Sequence, residues 1–309
     1  MRKHAVFHSA WSIPHAHAWR FCIRMKAARQ SYWRTTDPAR VRQPQNAALT
    51  NTLLWPLLLR SISIVIPAYN EEKRLPSTLD RIVEYLDQAR FSFSEILVVD
   101  DGSSDATAAQ TTEFAIRHPG VRLLRNPGNR GKGYSVRHGM LEAAGDWALF
   151  TDADLSSPIE ELDKLMAAVE SNGAQIAIGS RAIDRSLVGV HQPLFREYAG
   201  RFFNLVMRLV TGLAFHDTQC GFKLFQREAA REIFSRQQLL WFGFDAEVLF
   251  IAKSLGYRAV EVPVRWNDVA GSKVGTLAGL NGFVDLLRIR RNQWAGRYKA
   301  GASSPITPR

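Results

Sequence analysis

From Ser61 onward, short apolar runs alternate with stretches of mixed polarity. Five of the runs predict buried strands, at 62–66, 96–99, 121–124, 147–150 and 176–178, and the first of them is rich in β-branched residues. The stretches between them carry helix start signals, and we expect helices to begin near Pro76, after Asp105, after the glycines around 131 and at Pro158. This alternation predicts an α/β fold, a doubly wound and mostly parallel sheet with helices on both faces.

Polar clusters follow three of the predicted strands, at 67–72, 100–103 and 152–154. In open α/β sheets, ligands bind beyond the carboxyl ends of the strands. Acidic side chains from three strands should therefore meet at one edge of the sheet, and this edge is the candidate site.

Two carboxylates, Asp152 and Asp154, stand one residue apart after a buried strand. Carboxylate oxygens suit Mg²⁺ or Mn²⁺, with phosphate oxygens completing the coordination. The alternative is a helix N-cap, where Asp is also favoured. The position at a strand end, beside two other acidic clusters, favours the metal interpretation.

The other two polar turns suggest nucleotide binding. A carboxylate at 100–101 could bind a base or ribose, although Asp, Gly and Ser here could also form a simple turn and cap. The turn around Lys132 places a cation and backbone N–H groups before a helix, an arrangement that attracts phosphate. Neither GxxxxGK[ST] nor a GxGxxG after the first strand is present, which argues against a kinase and a dehydrogenase.

The charge of the chain is concentrated at its start. The 309 residues carry a formal charge of +11, and residues 1–60 hold ten Lys or Arg against one acid, Asp37. We therefore interpret 1–60 as a basic, poorly ordered extension, 61–299 as one domain and 300–309 as a flexible tail. The basic charge then does not indicate a nucleic-acid-binding face, and no nucleic-acid partner is expected. Two cysteines exclude a disulfide framework and fit a cytoplasmic protein.

Seven motifs in order resemble glycosyltransferase family 2. The first four are SIVIPAYNE at 63–71, VVDDGSSDAT at 98–107, NRGKG at 129–133 and TDADLS at 151–156. The later ones, DTQCGFKLF at 217–225, GFDAE at 243–247 and EVPVRW at 261–266, followed by GSK at 271–273, are similar to the dolichyl-phosphate β-glucosyltransferase branch. The resemblance covers about residues 61–295.

The resemblance implies a GT-A fold and an inverting transfer from a nucleotide-sugar. It assigns nucleoside contacts to Pro67, Tyr69, Glu71, Val99 and Asp101. It assigns the metal to Asp152 and Asp154 and the diphosphate to the segment Asp152, Ala153 and Asp154, beside Lys132. Arg181, Arg196 and Lys273 would bind the acceptor phosphate, and Arg265 is a loose match to a further arginine of related enzymes. Ser156 stands where related mannosyltransferases can have a Gln ligand, so a third protein ligand is in question.

We expect glucose to pass from UDP-glucose to a polyprenyl or dolichyl phosphate. A phosphate monoester is anionic near pH 7, so no strong general base is needed. With a hydroxyl acceptor, Asp217 or Asp245 would be the base. The alternatives are a mannosyltransferase using GDP-mannose, a family 2 enzyme with a glycan or soluble hydroxyl acceptor, a nucleic-acid-binding protein acting through the extension, and an inactive nucleotide-sugar-binding module.

No run of about 20 apolar residues is present, so we expect membrane contact to be peripheral, on the cytoplasmic face. Two amphipathic stretches, 198–213 and 277–297, predict either helices that cap the core or helices that lie at a lipid interface. The second carries Leu277, Leu280, Val284 and Leu287 at helical spacing, followed by arginines at 288, 290 and 291.

Overall fold

The computed structural model of the protein describes residues 60–89, 91–187, 204–267 and 276–299, with the backbone alone at 276–281. The predicted extension before residue 60 and the tail from 300 lie outside the described residues. Two predicted acceptor residues, Arg196 and Lys273, lie outside them as well.

The described residues form one seven-stranded sheet. Its strands are β1 (Ser61–Ala68), β2 (Phe93–Asp100), β3 (Val121–Arg125), β4 (Trp147–Thr151), β5 (Ile176–Ser180), β6 (Phe222–Gln226) and β7 (Ala259–Pro263). The order across the sheet is β3-β2-β1-β4-β6-β5-β7. Only β6 runs antiparallel to its neighbours β4 and β5, so the predicted mostly parallel sheet is confirmed.

Helices cover both faces of the sheet. They are α1 (Leu75–Gln88), α2 (Thr107–Arg117), α3 (Lys132–Glu142), α4 (Leu162–Asn172), α5 (Arg227–Phe234), α6 (Phe244–Leu255) and α7 (Thr276–Trp294), and residues 204–211 form a further helical segment. The helix predicted to open at Pro158 begins as a 3₁₀ turn at Ile159–Glu161 that leads into α4. None of the described helices is long and apolar enough to cross a membrane.

Each of the central strands β1 and β2 contributes side chains to two separate cores. In β1, Ile62, Ile64 and Ile66 pack into the cluster with α1, α2 and α4, whereas Val65 packs into the cluster with α3, α5, α6 and α7. This is the period-two alternation of a strand buried on both faces.

Helix α3 lies unusually close to the sheet. A Cβ on Gly139 would overlap Val65 Cγ1, so only glycine allows this approach. The close packing fixes the N-terminus of α3, and with it Lys132, at the carboxyl edge of β1, β2 and β4.

Candidate functional site

The loops after β1 and β2 are joined by hydrogen bonds. Asn70 has a φ of 55°, in the left-handed region that Asn tolerates better than most residues. This conformation lets its backbone N–H donate to Ser103 Oγ at 2.9 Å, while its Oδ1 accepts from the N–H of Ser104 at 2.8 Å. The two loops therefore form one rigid wall of the site.

The residues predicted to contact the nucleoside differ in how far their side chains are exposed at the sheet edge. Tyr69 is 38% exposed at this edge, and Pro67 is half-buried beside it. The carboxylate of Glu71 accepts two hydrogen bonds of 2.7 Å from the guanidinium of Arg74. Val99 is fully buried in the core beneath α3, so any contact it makes with a ligand must use its backbone.

Asp101 organises the glycine turn that follows β3. This buried carboxylate accepts hydrogen bonds from Asn126 Nδ2 at 2.7 Å and from the backbone N–H groups of Arg130 at 2.9 Å and Gly131 at 2.8 Å. The structure thus gives Asp101 a structural role in addition to the predicted nucleoside contact. It also engages two of the backbone N–H groups that the sequence interpretation assigned to phosphate.

The glycines of this turn are required by a neighbouring segment, residues 237–241. Gly131 has a φ of 99°, and a Cβ there would lie 2.5 Å from the carbonyl oxygen of Leu240. A Cβ on Gly133 would lie 2.8 Å from the carbonyl oxygen of Leu239. The sequence predicted that backbone N–H groups and Lys132 of this turn attract phosphate, and close backbone packing explains why residues 131 and 133 are glycines.

Lys132 projects from this turn to the predicted metal site. Its Nζ lies 2.5 Å from Asp152 Oδ1, and a Cβ on Gly221 would overlap the Asp152 carboxylate from the other side. Burial alone would lower the pKa of Lys132, but the charges of Asp152 and Asp245 outweigh it and raise the pKa above its usual value. The acids around Lys132 therefore favour its protonated form.

Asp154, the second predicted metal ligand, is oriented by Ser156. Its Oδ1 accepts from the backbone N–H of Ser156 at 3.0 Å and from its hydroxyl at 2.9 Å. Its Oδ2 lies 3.8 Å from Arg74 Nη1. Ser156 thus positions Asp154, while Ala153 is buried between the two acids.

The carboxylates at the predicted metal site suit a metal ion that takes few ligands from the protein. Among the described residues, no group of three or more His, Cys, Asp or Glu side chains could hold a metal ion. The protein offers two carboxylates, Asp152 and Asp154, each beside a cation. Mg²⁺ and its relatives commonly use one or two carboxylates together with phosphate oxygens and water, so this set suits a metal that arrives with a diphosphate.

Arg181, which is partly exposed, forms a bidentate ion pair with the buried carboxylate of Asp217. Its Nε and Nη2 lie 2.6 and 2.9 Å from the two carboxylate oxygens, and its guanidinium stacks on Trp266 at 5.4 Å. Burial acts to raise the pKa of Asp217, but Arg181 lowers it overall below its usual range. Asp217 is consequently a poor proton acceptor. Among the described residues, the hydrogen bonds of Arg181 to Asp217 use Nε and Nη2, so the hydrogens on Nη1 can be donated to a ligand.

A second ion pair, which is buried and which sequence reasoning did not find, joins Lys223 to Asp245. Lys223 is fully buried in β6, donates to the carbonyl oxygen of Cys220 at 2.6 Å, contacts Asp245 Oδ1 and lies 5.1 Å from the ring centre of Phe150. Burial raises the pKa of Asp245 despite the neighbouring lysines. The signal was a lysine inside the apolar run 222–225, which indicates a buried cation that needs an acidic partner.

Arg265, the loose match to an acceptor arginine, is paired with Glu161. Its Nε lies 2.5 Å from Glu161 Oε1, and its backbone N–H donates to the other oxygen of the same carboxylate at 3.2 Å. Of the two predicted acceptor arginines that the structure describes, Arg181 and Arg265, Arg181 is the one whose charge interacts with Asp152.

Comparison with known proteins agrees with this architecture. Residues 63–234 match the family described as Glycosyl transferase family 2. A dolichyl-phosphate beta-glucosyltransferase of Trichomonas vaginalis is 38% identical over 258 residues, which cover 79% of this chain and 76% of that protein. The human protein of the same name is 33% identical and covers 80% of both chains.

The fold also matches a solved enzyme. The glucosyl-3-phosphoglycerate synthase of Mycobacterium tuberculosis, crystallised with Mn²⁺, uridine diphosphate and glucosyl-3-phosphoglycerate, superposes with a TM-score of 0.54 at 22% identity. The match covers 74% of this chain and 80% of that one, and it establishes the GT-A fold.

We predict that Asp101→Ala lowers the free energy of unfolding by about 1–3 kcal/mol, because it leaves buried donors of the glycine turn without an acceptor. Urea denaturation followed by circular dichroism would measure the loss. The matched control is Asp87→Ala, on the exposed side of α1, which should change stability by less than about 0.5 kcal/mol. Equal effects of the two substitutions would contradict the role given to Asp101.

Proposed function

The chain belongs to glycosyltransferase family 2, and from that premise we propose that it transfers glucose from UDP-glucose to a polyprenyl phosphate, with inversion and with a divalent metal ion. The observation that carries the proposal is the arrangement of charges at the sheet edge. Lys132, Asp152 and Asp154 form a donor-side group, and Arg181 stands near enough for its charge to interact with Asp152. A nucleoside diphosphate and an anionic acceptor would be held next to each other there.

On the donor side, Asp152 and Asp154 would hold Mg²⁺ or Mn²⁺. The ion supplies charge neutralisation of the departing diphosphate. Lys132 is poised to move from Asp152 to a phosphate oxygen once the carboxylate has another cation to bind. Arg74 can stay on Glu71, with which it shares two hydrogen bonds.

On the acceptor side, Arg181 offers a cation whose orientation is already fixed by Asp217 and Trp266. Two of its five N–H groups bond to Asp217, and the outward pair on Nη1 can bind a phosphate. Asp217 and Asp245 are both buried, and each is paired with a cation, Arg181 and Lys223 respectively. A phosphate acceptor needs no base, so this pairing supports a phosphate over a hydroxyl acceptor.

The membrane part of the proposal rests on an exposed surface that we call the apolar-basic face. It comprises Leu205 and Leu209 on the segment 204–211 and Val284, Leu287 and Trp294 on α7, with exposed arginines at 208, 288 and 291. Leu209 is 74% exposed and Trp294 82%. The two elements are joined by a 2.5 Å hydrogen bond from Arg290 Nε to the carbonyl oxygen of Val210.

This face suits an anionic lipid surface. Leucine and tryptophan side chains insert at the headgroup boundary, and each nearby Arg adds about 1 kcal/mol of attraction to anionic lipid. Leu286 and Ile289 of the same helix are buried in the core, so α7 both caps the core and presents the face. Peripheral binding on the cytoplasmic side would bring the enzyme to an acceptor that cannot leave the bilayer.

We predict that transfer requires a divalent cation and that Asp154→Ala lowers kcat/KM at least a hundredfold. Calorimetry with Mn²⁺ should show uridine diphosphate binding more tightly than guanosine diphosphate, as expected for the glucosyl branch. Asp163→Ala, on α4 away from the sheet edge, is the matched control and should keep full activity. Full turnover in excess chelator would refute the metal, and tighter guanosine diphosphate binding would indicate a mannosyl donor.

We predict that Arg181→Lys raises the acceptor KM about tenfold or more and leaves the donor KM within twofold. Lysine keeps the positive charge but lacks the planar guanidinium that can donate to Asp217 and to a phosphate at the same time. Lysine is chosen because alanine would leave the buried Asp217 without a cation. Arg122→Lys, in the ion pair of Arg122 with Glu95 on β2, is the control and should change neither constant. A change confined to the donor KM would remove Arg181 from the acceptor site.

We predict sedimentation with phosphatidylserine-containing vesicles, weakened by salt and by the double substitution Leu287→Ser with Trp294→Ser. Arg290 is left intact because it holds the segment 204–211. The control is Ile116→Ser on α2, where an isoleucine of 79% exposure lies outside the apolar-basic face. If the double variant and the control sediment alike, α7 does not contact the membrane. If the wild-type protein stays in the supernatant at low salt, a soluble acceptor is favoured.

A further inference from the structure

The end of the C-terminal helical region reaches a buried carboxylate in α6. After α7, the hydroxyl of Tyr298 donates to Glu247 Oε1 at 2.6 Å, and both residues are buried. Asn292 Nδ2 in α7 lies 3.4 Å from the same hydroxyl. One oxygen of Glu247 is thereby tied to the element that carries the apolar-basic face.

The other oxygen of Glu247 holds a loop. Its Oε2 accepts from the backbone N–H groups of Gln238 at 3.1 Å and Leu239 at 2.8 Å. At its far end the loop packs closely against α7, because a Cβ on Gly243 would overlap the carboxylate of Asp285. Residues 238–243 are thus hydrogen-bonded to Glu247 at one end and packed against α7 at the other.

That loop in turn determines where the glycine turn lies. The backbone N–H of Tyr134 donates to the carbonyl oxygen of Leu240 at 3.0 Å, and Gln237 Nε2 donates to the carbonyl oxygen of Gly133 at 2.8 Å. These contacts hold Gly133 and Tyr134, the two residues that follow Lys132, whose Nζ reaches Asp152. Hydrogen bonds and the short backbone segments between them therefore connect Tyr298, through Glu247 and the loop, to the turn that carries Lys132.

We propose that Glu247 is a positioning residue that sets the place of Lys132 at the donor diphosphate and couples it to the C-terminal helix. The proposal rests on the proposed function for the role of Lys132. It assigns Glu247 no contact with substrate. While α7 is packed on the core, Glu247 holds the loop and the loop holds the turn that carries Lys132. A shift of α7 would break the hydrogen bond from Tyr298 to Glu247 and release the loop.

The chemistry of Glu247 supports a role beyond packing. Burial raises the pKa of Glu247 to about 7, although Tyr298 and the two backbone N–H groups act to lower it. Charged groups facing it include Asp285, which raises the pKa further, and Arg137, whose own pKa responds to Glu247. A leucine of similar size would avoid this burial penalty, so a carboxylate at this position is explained by the three donors that it organises.

The decisive variant is Tyr298→Phe, which removes one hydroxyl and leaves the ring in place. We expect the dissociation constant of uridine diphosphate with Mn²⁺ to rise about two- to tenfold, the equivalent of one lost hydrogen bond. The KM for a polyprenyl phosphate should not change. Amide hydrogen exchange should quicken at 238–241 and at 131–135. The matched control is Tyr85→Phe, which breaks a 2.7 Å bond to Asp163 between α1 and α4 and should alter neither segment.

A second pair of variants separates positioning from general stability. Glu247→Gln keeps an oxygen for the loop and a polar group for Tyr298, so nucleotide affinity and exchange should stay near wild type. Glu247→Leu should quicken exchange at both segments and weaken the nucleotide more than Tyr298→Phe does. Unchanged exchange at 131–135 in both Tyr298→Phe and Glu247→Leu would overturn the proposal. If wild type binds no uridine diphosphate, the proposed function fails, and the exchange data still decide whether Glu247 positions the turn.

Discussion

A carboxylate buried at the edge of this sheet needs hydrogen-bond donors or a cation beside it. The segments that supply these partners form the site. Asp101 takes two backbone N–H groups and an amide, Asp217 takes Arg181, and Asp245 takes Lys223. Each match draws a different segment toward the ends of β1, β2 and β4. The loops around the site are therefore held in place by these buried acids.

The same requirement explains why the two sides of the site behave differently. On the proposed donor side, Asp152 and Asp154 remain about one-third and one-fifth exposed; Asp152 is paired with Lys132, and Asp154 lies 3.8 Å from Arg74, which is held by Glu71. The acceptor-side pair of Arg181 and Asp217 is bidentate and supported by Trp266. A site that exchanges its cations for a metal nucleotide needs the first kind of pairing, and one that presents a fixed cation to a phosphate needs the second.

Short apolar runs predicted the first five strands and the doubly wound sheet, because a strand buried on both faces leaves a nearly continuous apolar run that is easily recognised. It did not predict β6, because the buried Lys223 interrupts its apolar run. The motifs located Asp101, Asp152 and Arg181, but their partners come from segments about 20 to 85 residues away and leave no local signal. The packing role of the glycines at 131 and 133 also escaped the sequence, since the backbone that packs on them lies more than 100 residues later.

The proposed transfer is tested most directly by analysis of the product. The full chain would be incubated with Mn²⁺, a polyprenyl phosphate in anionic vesicles and, separately, UDP-glucose, UDP-galactose and GDP-mannose, and the lipid fraction examined by mass spectrometry and by NMR of the anomeric proton. We expect a polyprenyl phosphate bearing one β-linked glucose, formed from UDP-glucose and lost in the Asp154→Ala variant. A lipid product formed from GDP-mannose alone, an α-linked sugar, or transfer to a soluble hydroxyl in preference to the lipid would contradict the proposed function.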